Sequence, residues 1–342
     1  MLNRWIQRIE TTAAAGAVGL LMSAFTAHAA PEVKWTLAYL PVPGSTYYEI
    51  ALQVPQRIAK ATQGRMEITA NGSLIAGNRM LEAVRDGDVQ LSMPLLGYYS
   101  ASQPLFALVT LPGISESLES MNRLMAGEYG AAITATLAKD YKAQPVFTGA
   151  FCSQTLFSTV PIVTTDDWKG KRIRVNNAGT ALIANELGAK PTSLAAGEVL
   201  PGLQRGVIDG VITDSCWAYQ AGFHTAVKYA ADWQLGSVTP FQIVVSQGAW
   251  AQLPKDLQAQ VAGELNAMEK ELNAHWKVKT AEMPKLWRDK GVDFRSVDAT
   301  QKKRAQSDQY AKPAFEAWYK AAQAKGIDGR QWETKVRKVL GQ

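Results

Sequence analysis

The chain has 342 residues, 47% hydrophobic and 19% charged, with 36 basic against 30 acidic side chains and a net charge of +6. This composition fits one large or two ordinary globular domains and excludes a disordered, collagen-like or polytopic membrane chain. The basic excess is small and scattered, without a stripe of Lys and Arg interleaved with aromatics, so nucleic acid is not an expected partner. Three His and two Cys leave little from which to build a zinc site.

At the N-terminus, Arg4 and Arg8 precede the apolar run Ala13 to Phe25, and Ala27-His28-Ala29 is a small-x-small cleavage site. The run is too short to span a bilayer comfortably. Residues 1–29 therefore read as a signal peptide cut after Ala29; an uncleaved anchor helix is the other reading. No later stretch reaches eighteen apolar residues, so the remaining chain is expected to be soluble and exported. An oxidising compartment permits a Cys152–Cys216 disulfide. Two separate buried thiols are the alternative that the sequence leaves open.

Val33 to Tyr39 alternates and is β-rich, which predicts a strand. Tyr47 to Thr62 carries Ile50, Val54 and Ile58 at helical spacing, and Gly64 ends it. Met66 to Ala70, a short helix over Met80 to Val84 and a strand over Val89 to Met93 complete a β-α-β-α-β order, which argues for an α/β domain with a largely parallel sheet. A second α/β unit is expected over 151–239. Its strands lie near Val146 to Phe151, Thr155 to Ser158, Arg172 to Val175 and Val207 to Thr213, and its helices at Thr180 to Leu187 and Gly197 to Arg205. From Pro254 to Gly291, apolar residues recur from Leu257 to Trp276 at spacings of three and four. One helix there would be about 50 Å long at 1.5 Å per residue, enough to cross two domains; a hairpin broken at Pro284 is the alternative. A further amphipathic segment, Gln309 to Ala324, closes the chain.

The sequence holds no G-x-S-x-G, H-E-x-x-H, phosphate loop or G-x-G-x-x-G. His224 and His275 stand apart from any acidic or thiol motif, and Asp166-Asp167 before Trp168 read as turn caps. What remains is recognition in a cleft between two α/β units. In Arg172-Ile173-Arg174 the alternation puts both Arg on one face, with Arg174 nearer the strand's end. A buried Arg offers a planar fork of donors matched to a carboxylate; a surface pairing with a nearby acid is the plainer reading.

Five segments in order carry a resemblance: Asn71 to Leu91, Trp168 to Val175 (WKGKRIRV), Leu187 to Pro191 (LGAKP), Glu198 to Gly210 (EVLPGLQRGVIDG) and Trp250 to Gln258 (WAQLPKDLQ). Together they resemble the substrate-binding proteins of TRAP transporters of the DctP type, across nearly the whole chain after residue 29. The resemblance implies an α/β, two-domain periplasmic-binding-protein-like fold with a cleft between the domains and a long helix spanning both. Domain I would be 30–150 plus about 240–278, and domain II 151–239 plus about 279–342. It implies a monomeric periplasmic receptor, not an enzyme and without cofactor or metal, that hands an organic carboxylate to ion-coupled TRAP permease subunits in the membrane. A component presenting its ligand to a membrane sensor kinase and a periplasmic enzyme acting on a carboxylate are the alternatives.

By the same resemblance Arg174 clamps the ligand carboxylate, Asn177 and Thr213 orient it, and Tyr98, Phe151 and Trp217 shape the cleft. The position where many relatives carry a second Arg falls on Ser153, and Asp214 follows Thr213 where a ligand hydroxyl or amine would suit it. One cation with aromatic walls leads to the expectation of a monocarboxylate with an aromatic or apolar body. Both cysteine segments border the cleft in the resembling fold, which favours the disulfide.

Overall fold

Val33–Ala38, which buries Trp35, Leu37 and Ala38, forms strand β1. The computed structural model describes residues 30–235 and 238–342, and the segment expected as a signal peptide lies outside them. Helix α1 (Thr46–Ala61) starts where the Ser45 hydroxyl accepts the Tyr48 N–H at 3.1 Å, and it buries Tyr47, Ile50, Val54 and Ile58. Strand β2 (Met66–Asn71), helix α2 (Met80–Asp86) and a two-residue strand β3 (Leu91–Ser92) follow. Helices α3 (Leu118–Ala126) and α4 (Glu128–Tyr141), in a region without a sequence-based expectation, lead into β4 (Ala143–Ala150).

After a three-residue crossover the chain builds β5 (Gln154–Ser158), β6 (Arg172–Arg174), α5 (Ala178–Glu186), β7 (Lys190–Thr192), α6 (Ala196–Gln204), β8 (Gly210–Asp214), α7 (Ser215–Gln220) and β9 (Tyr229–Ala231). It then returns through β10 (Pro240–Ser246) and α8 (Gln247–Gln252) to the long α9 (Lys255–Asp289), and ends with β11 (Asp293–Arg295), α10 (Ala299–Ala305), α11 (Asp308–Gln323) and α12 (Gly329–Leu340).

Two sheets result. The first has the order β2-β1-β3-β10-β4 and the second β11-β9-β5-β8-β6-β7. Neither is simply parallel: β10 runs antiparallel between β3 and β4, and β5 runs antiparallel between β9 and β8. The expected β-α-β-α-β order is present, but β10 enters its sheet from far along the chain, which local patterning does not reveal. The sheets exchange strands, with β4 in the first and β5 in the second, and β9 in the second and β10 in the first. The strand expected near Val146 to Phe151 thus pairs in the first sheet and not with the second unit.

Helix α9 runs as one 35-residue helix through Pro284, so the hairpin alternative is not realised. Proline there forfeits one backbone hydrogen bond. The loss is tolerated because packing holds both sides of the position. Leu257, Val261, Leu265, Met268 and Leu272 join the core of the first sheet with Phe147, Phe241 and the α1 residues. Met283 and Trp287 join a core of the second sheet with Phe157, Val211 and the two cysteines. Between these stretches the Trp276 indole donates to the Phe151 carbonyl at 2.9 Å, pinning the crossover to the helix.

The C-terminal helices depart from the expected membership of 279–342 in the second domain. Tyr310 and Ala314 of α11 pack with the second sheet. Phe315, Trp318 and Val336 belong instead to the core built around Leu105, Phe106 and Leu108 beside the first sheet, and the Trp318 indole donates to the Pro104 carbonyl at 2.7 Å. The helical period of α11 turns apolar residues towards both bodies, so the helix clasps the two.

Trp287 has no exposed surface and lies 4.3 Å from the Phe157 ring, with Tyr219 edge-on at 5.6 Å. Trp287→Ala is expected to cost about 3–5 kcal/mol of stability, the range for a buried large-to-small change. Trp287→Phe should cost clearly less. Denaturant unfolding checks this, and a loss under about 1 kcal/mol for the alanine variant would contradict it.

Candidate ligand-binding site

A cavity of about 180 Å³ opens where elements of the first sheet face elements of the second. On one side are Val42 and Ser45 from the loop before α1, Leu95 to Tyr98 after β3, and Thr110; on the other are Gln154, Arg174, Asn176, Asn177, Thr213, Asp214 and Trp217. The contributions of the second sheet come largely from the carboxyl ends of β6 and β8, which lie side by side in parallel with Arg174 opposite Val211. Crevices at the carboxyl ends of strands are where open α/β sheets bind ligands.

Arg174 is placed by the alternation of β6. Ile173 between the two arginines has no exposure and anchors in the core of the second sheet. Arg172, one residue to the other side of Ile173, lies towards solvent and pairs with Asp209 at 2.5 Å. Arg174 at the strand's end is only 8% exposed. Its Nε and Nη2 donate to the Leu194 carbonyl at 3.2 and 3.0 Å. Among the described residues no carboxylate pairs with it and its Nη1 has no protein acceptor. Burial pulls its pKa below the ordinary guanidinium value, the sign of a cation held without a counter-charge. No other Lys or Arg lines the cavity among the described residues.

A chain of amides runs beside it. The Asn177 side-chain oxygen caps α5 by accepting the Thr180 N–H at 2.8 Å, and its nitrogen donates to Asn176 at 3.0 Å. Asn176 in turn donates to the Gln154 oxygen at 3.2 Å. Asn177 thus lines the cavity while fixing its wall. Thr213, 4% exposed, sits opposite Thr155 in the β5–β8 ladder, and Asp214 sits opposite Gln154.

The aromatic walls are anchored from behind. Phe151 stacks on Tyr47 at 5.5 Å and meets Phe241 edge-on at 5.3 Å, while Trp217 meets Phe223 edge-on at 5.1 Å. Tyr98 stands at the rim, 54% exposed.

Seven of the eight expected side chains thus line one cavity. Ser153 does not; its carbonyl accepts the Ser215 N–H at 3.2 Å. The cavity takes Gln154 instead, because β5 begins there, and period-two alternation leaves no tolerance for an offset of one residue. Sequence reading also missed Asn176, Thr110 and the loop residues Val42 and Ser45. The Asn176-Asn177 pair was visible, but nothing local tells which of two adjacent asparagines faces a ligand.

Cys152 and Cys216 are joined in a disulfide. It ties the crossover to α7, between Phe151 and Trp217 in the cavity wall. With both sulfurs in the bond, neither is a thiolate able to join Asp214 in holding a metal.

Asp214 caps α7, accepting the Trp217 N–H at 2.6 Å, while its other carboxyl oxygen is buried without a partner. Burial pushes its pKa up to about 7; the N–H groups of Trp217, Cys152 and Cys216, with the positive charge of Lys279, oppose that rise.

Two interleaved α/β bodies with a buried, unneutralised cation in the cleft between them define a solute-binding protein of the two-domain receptor class. The chain belongs to the bacterial extracellular solute-binding protein family 7, the DctP family, whose sequence model matches residues 37–322. A solute-binding protein of Chromohalobacter salexigens is 25% identical over 300 residues, 86% of this chain and 89% of that one. Among solved structures, the Bordetella pertussis receptor DctP7, which binds pyroglutamic acid, superposes with a TM-score of 0.78 at 21% identity, over 89% of this chain and 99% of that one. A TRAP periplasmic solute-binding protein from Sulfurospirillum deleyianum, with bound succinate, gives 0.77 at 19% identity over 90% and 99%. Among the described residues no helix is long and apolar enough to cross a membrane.

The raised pKa of Asp214 sets a direction for stability against pH. The folded protein holds this proton more tightly than the unfolded chain, whose carboxyl titrates near 3.8. The stabilising contribution is therefore complete below about pH 4 and is lost as pH rises towards 7. Asp214→Asn, neutral throughout, removes this part of the slope. Tm measured from about pH 4.5 to about pH 7.5 should show wild type losing ground to the variant as pH rises; a constant difference would contradict the assignment.

Proposed function

We propose that this protein is a periplasmic receptor that captures a compact organic monocarboxylate and delivers it to an ion-coupled TRAP permease in the membrane. The observation that carries the reading is Arg174, a buried guanidinium whose free nitrogen meets no acid among the described residues. A ligand carboxylate would supply the missing charge through the bidentate geometry that Arg favours. Asn176 and Gln154 then continue the polar side, and Phe151, Trp217 and Tyr98 supply apolar shape. Closure of the two bodies over the ligand would shift an open–closed equilibrium towards a form that the permease recognises.

Size and charge narrow the ligand. A cavity of about 180 Å³ is slightly larger than one of about 150 Å³ known to hold a benzene ring. A second carboxylate would enter a lining that offers no second cation among the described residues, and an unpaired buried charge costs several kcal/mol. Pyroglutamic acid, bound by DctP7, is a ring-sized monocarboxylate of the kind this cavity suits. Succinate, bound by the Sulfurospirillum protein, is not.

Arg174→Ala should weaken binding of the best monocarboxylate by roughly two to three and a half decades, from the ~3–5 kcal/mol that follows removal of one partner of a buried pair. Arg174→Lys should recover little, since a point charge does not replace the fork. Calorimetry showing the alanine variant within threefold of wild type would refute the clamp. In a thermal-shift panel, pyroglutamate and other ring-sized monocarboxylates should outbind succinate, malate and fumarate by at least about tenfold. A dicarboxylate as the best ligand would overturn the ligand class.

A further inference from the structure

Gly44 lies in the loop that joins β1 to α1, between Val42 and Ser45 of the cavity wall. Gln220 ends α7 in the other body, three residues past Trp217. The two meet between the bodies, near in sequence to the cavity-wall residues Val42, Ser45 and Trp217. A β-carbon added to Gly44 would fall well inside van der Waals contact of Cβ and Cγ of Gln220. Those atoms are the root of the side chain, not its flexible end, so a backbone shift of the loop or of α7 is needed to relieve the overlap. The backbone of Gly44 also has φ +85°, a left-handed conformation that glycine adopts without cost.

The elements on either side are stiffly mounted. The loop is held by Ser45, whose hydroxyl donates to the Val42 carbonyl at 2.8 Å and caps α1, and by Thr46, which donates to the Ala150 carbonyl at 2.7 Å. Helix α7 is held by the Asp214 cap and by the disulfide at Cys216. Behind the contact, Lys279 of α9 bonds Glu49 of α1 at 2.8 Å. A contact between two such mounts changes little in shape: it is made or it is broken.

We infer that the Gly44–Gln220 contact is the latch of the closed cleft: glycine at 44 lets the loop seat against α7, and the fit of the pair sets how much of the receptor is closed before ligand arrives. The latch touches no ligand. Its effect on affinity, which rests on the receptor reading above, comes through the closed fraction alone, because apparent affinity scales with the population of the competent state.

The test reads closure directly and needs no ligand. The described cysteines are both in the disulfide, so spin labels can be placed on Leu74→Cys, half exposed in the first body, and Gly197→Cys, where an added β-carbon meets nothing within 4 Å. Pulsed electron–electron distance measurement on the unliganded full chain should show a short component, matching the structure, beside a longer one. Gly44→Ala should deplete the short component by about tenfold. Gln220→Gly, which adds no left-handed strain, should deplete it by a smaller factor through lost packing. The double variant should recover part of it, since the methyl introduced at position 44 refills the space vacated at position 220 while the left-handed strain remains.

Strain at position 44 alone would give depletion that Gln220→Gly fails to rescue, and that result overturns the latch. So does a parent protein without a short component, or two single variants with unchanged distances. Should Gly44→Ala not fold, the Gln220→Gly shift still decides. Failure of the ligand-class reading would leave all these distances untouched and appear only in the binding panel.

Discussion

A guanidinium taken out of water without a counter-charge is the constraint around which this molecule is arranged. Desolvating a cation costs several kcal/mol even after relaxation, and at Arg174 one backbone carbonyl, that of Leu194, offsets only part of it. The placement is nevertheless firm. Ile173 locks the strand in the core, β8 holds it from one side and β7 from the other, and Asp209 is already engaged by Arg172. The fold holds a charge in place, and on that charge the proposed carboxylate clamp rests.

Holding that charge at the boundary between two bodies requires the bodies to be linked without being fused. Three kinds of connection do this at different stiffness. The strand exchanges after β4 and after β9 are short. Helix α9 contributes to both cores with one unbroken rod, and α11 grips the two bodies with successive turns. Burial within each body is extensive, whereas the cavity face between them mixes amides and hydroxyls with a larger apolar share from residues such as Leu95, Leu96, Phe151, Trp217 and Pro240.

Much of this was legible from sequence where the signal was periodic. Leu257 to Trp276 marked the greater part of α9, and the apolar spacing from Tyr47 to Ile58 marked α1, because a single buried stripe dictates a single period. Alternation put Arg172 and Arg174 on one face, but the choice of Arg174 for the cleft came from the family resemblance, since local pattern alone favoured a surface pairing, which the structure gives to Arg172. Pairing of distant strands was not: β10 is almost fully buried, and continuous apolar runs carry no record of which neighbours they meet. Ser153 took the place of Gln154 for a related reason, since the start of β5 is fixed by ladder bonds to β8 and not by its own residues. The allegiance of the C-terminal helices also escaped, because Phe315 and Trp318 are as apolar as the α11 residues facing the other way.

The disulfide has a topological meaning as well as a local one. Its 64-residue separation encloses β5, β6, α5, β7, α6 and β8, and with them Gln154, Arg174, Asn176, Asn177, Thr213 and Asp214. Nearly every polar group that the second body offers to a ligand thus lies on one covalent ring. A protease that nicks an exposed turn inside it, such as the stretch around Arg205 to Val207, would open the ring and release no fragment. The cut ends would stay tethered through Cys152 and Cys216, and the binding surface could outlast the continuity of the chain that made it.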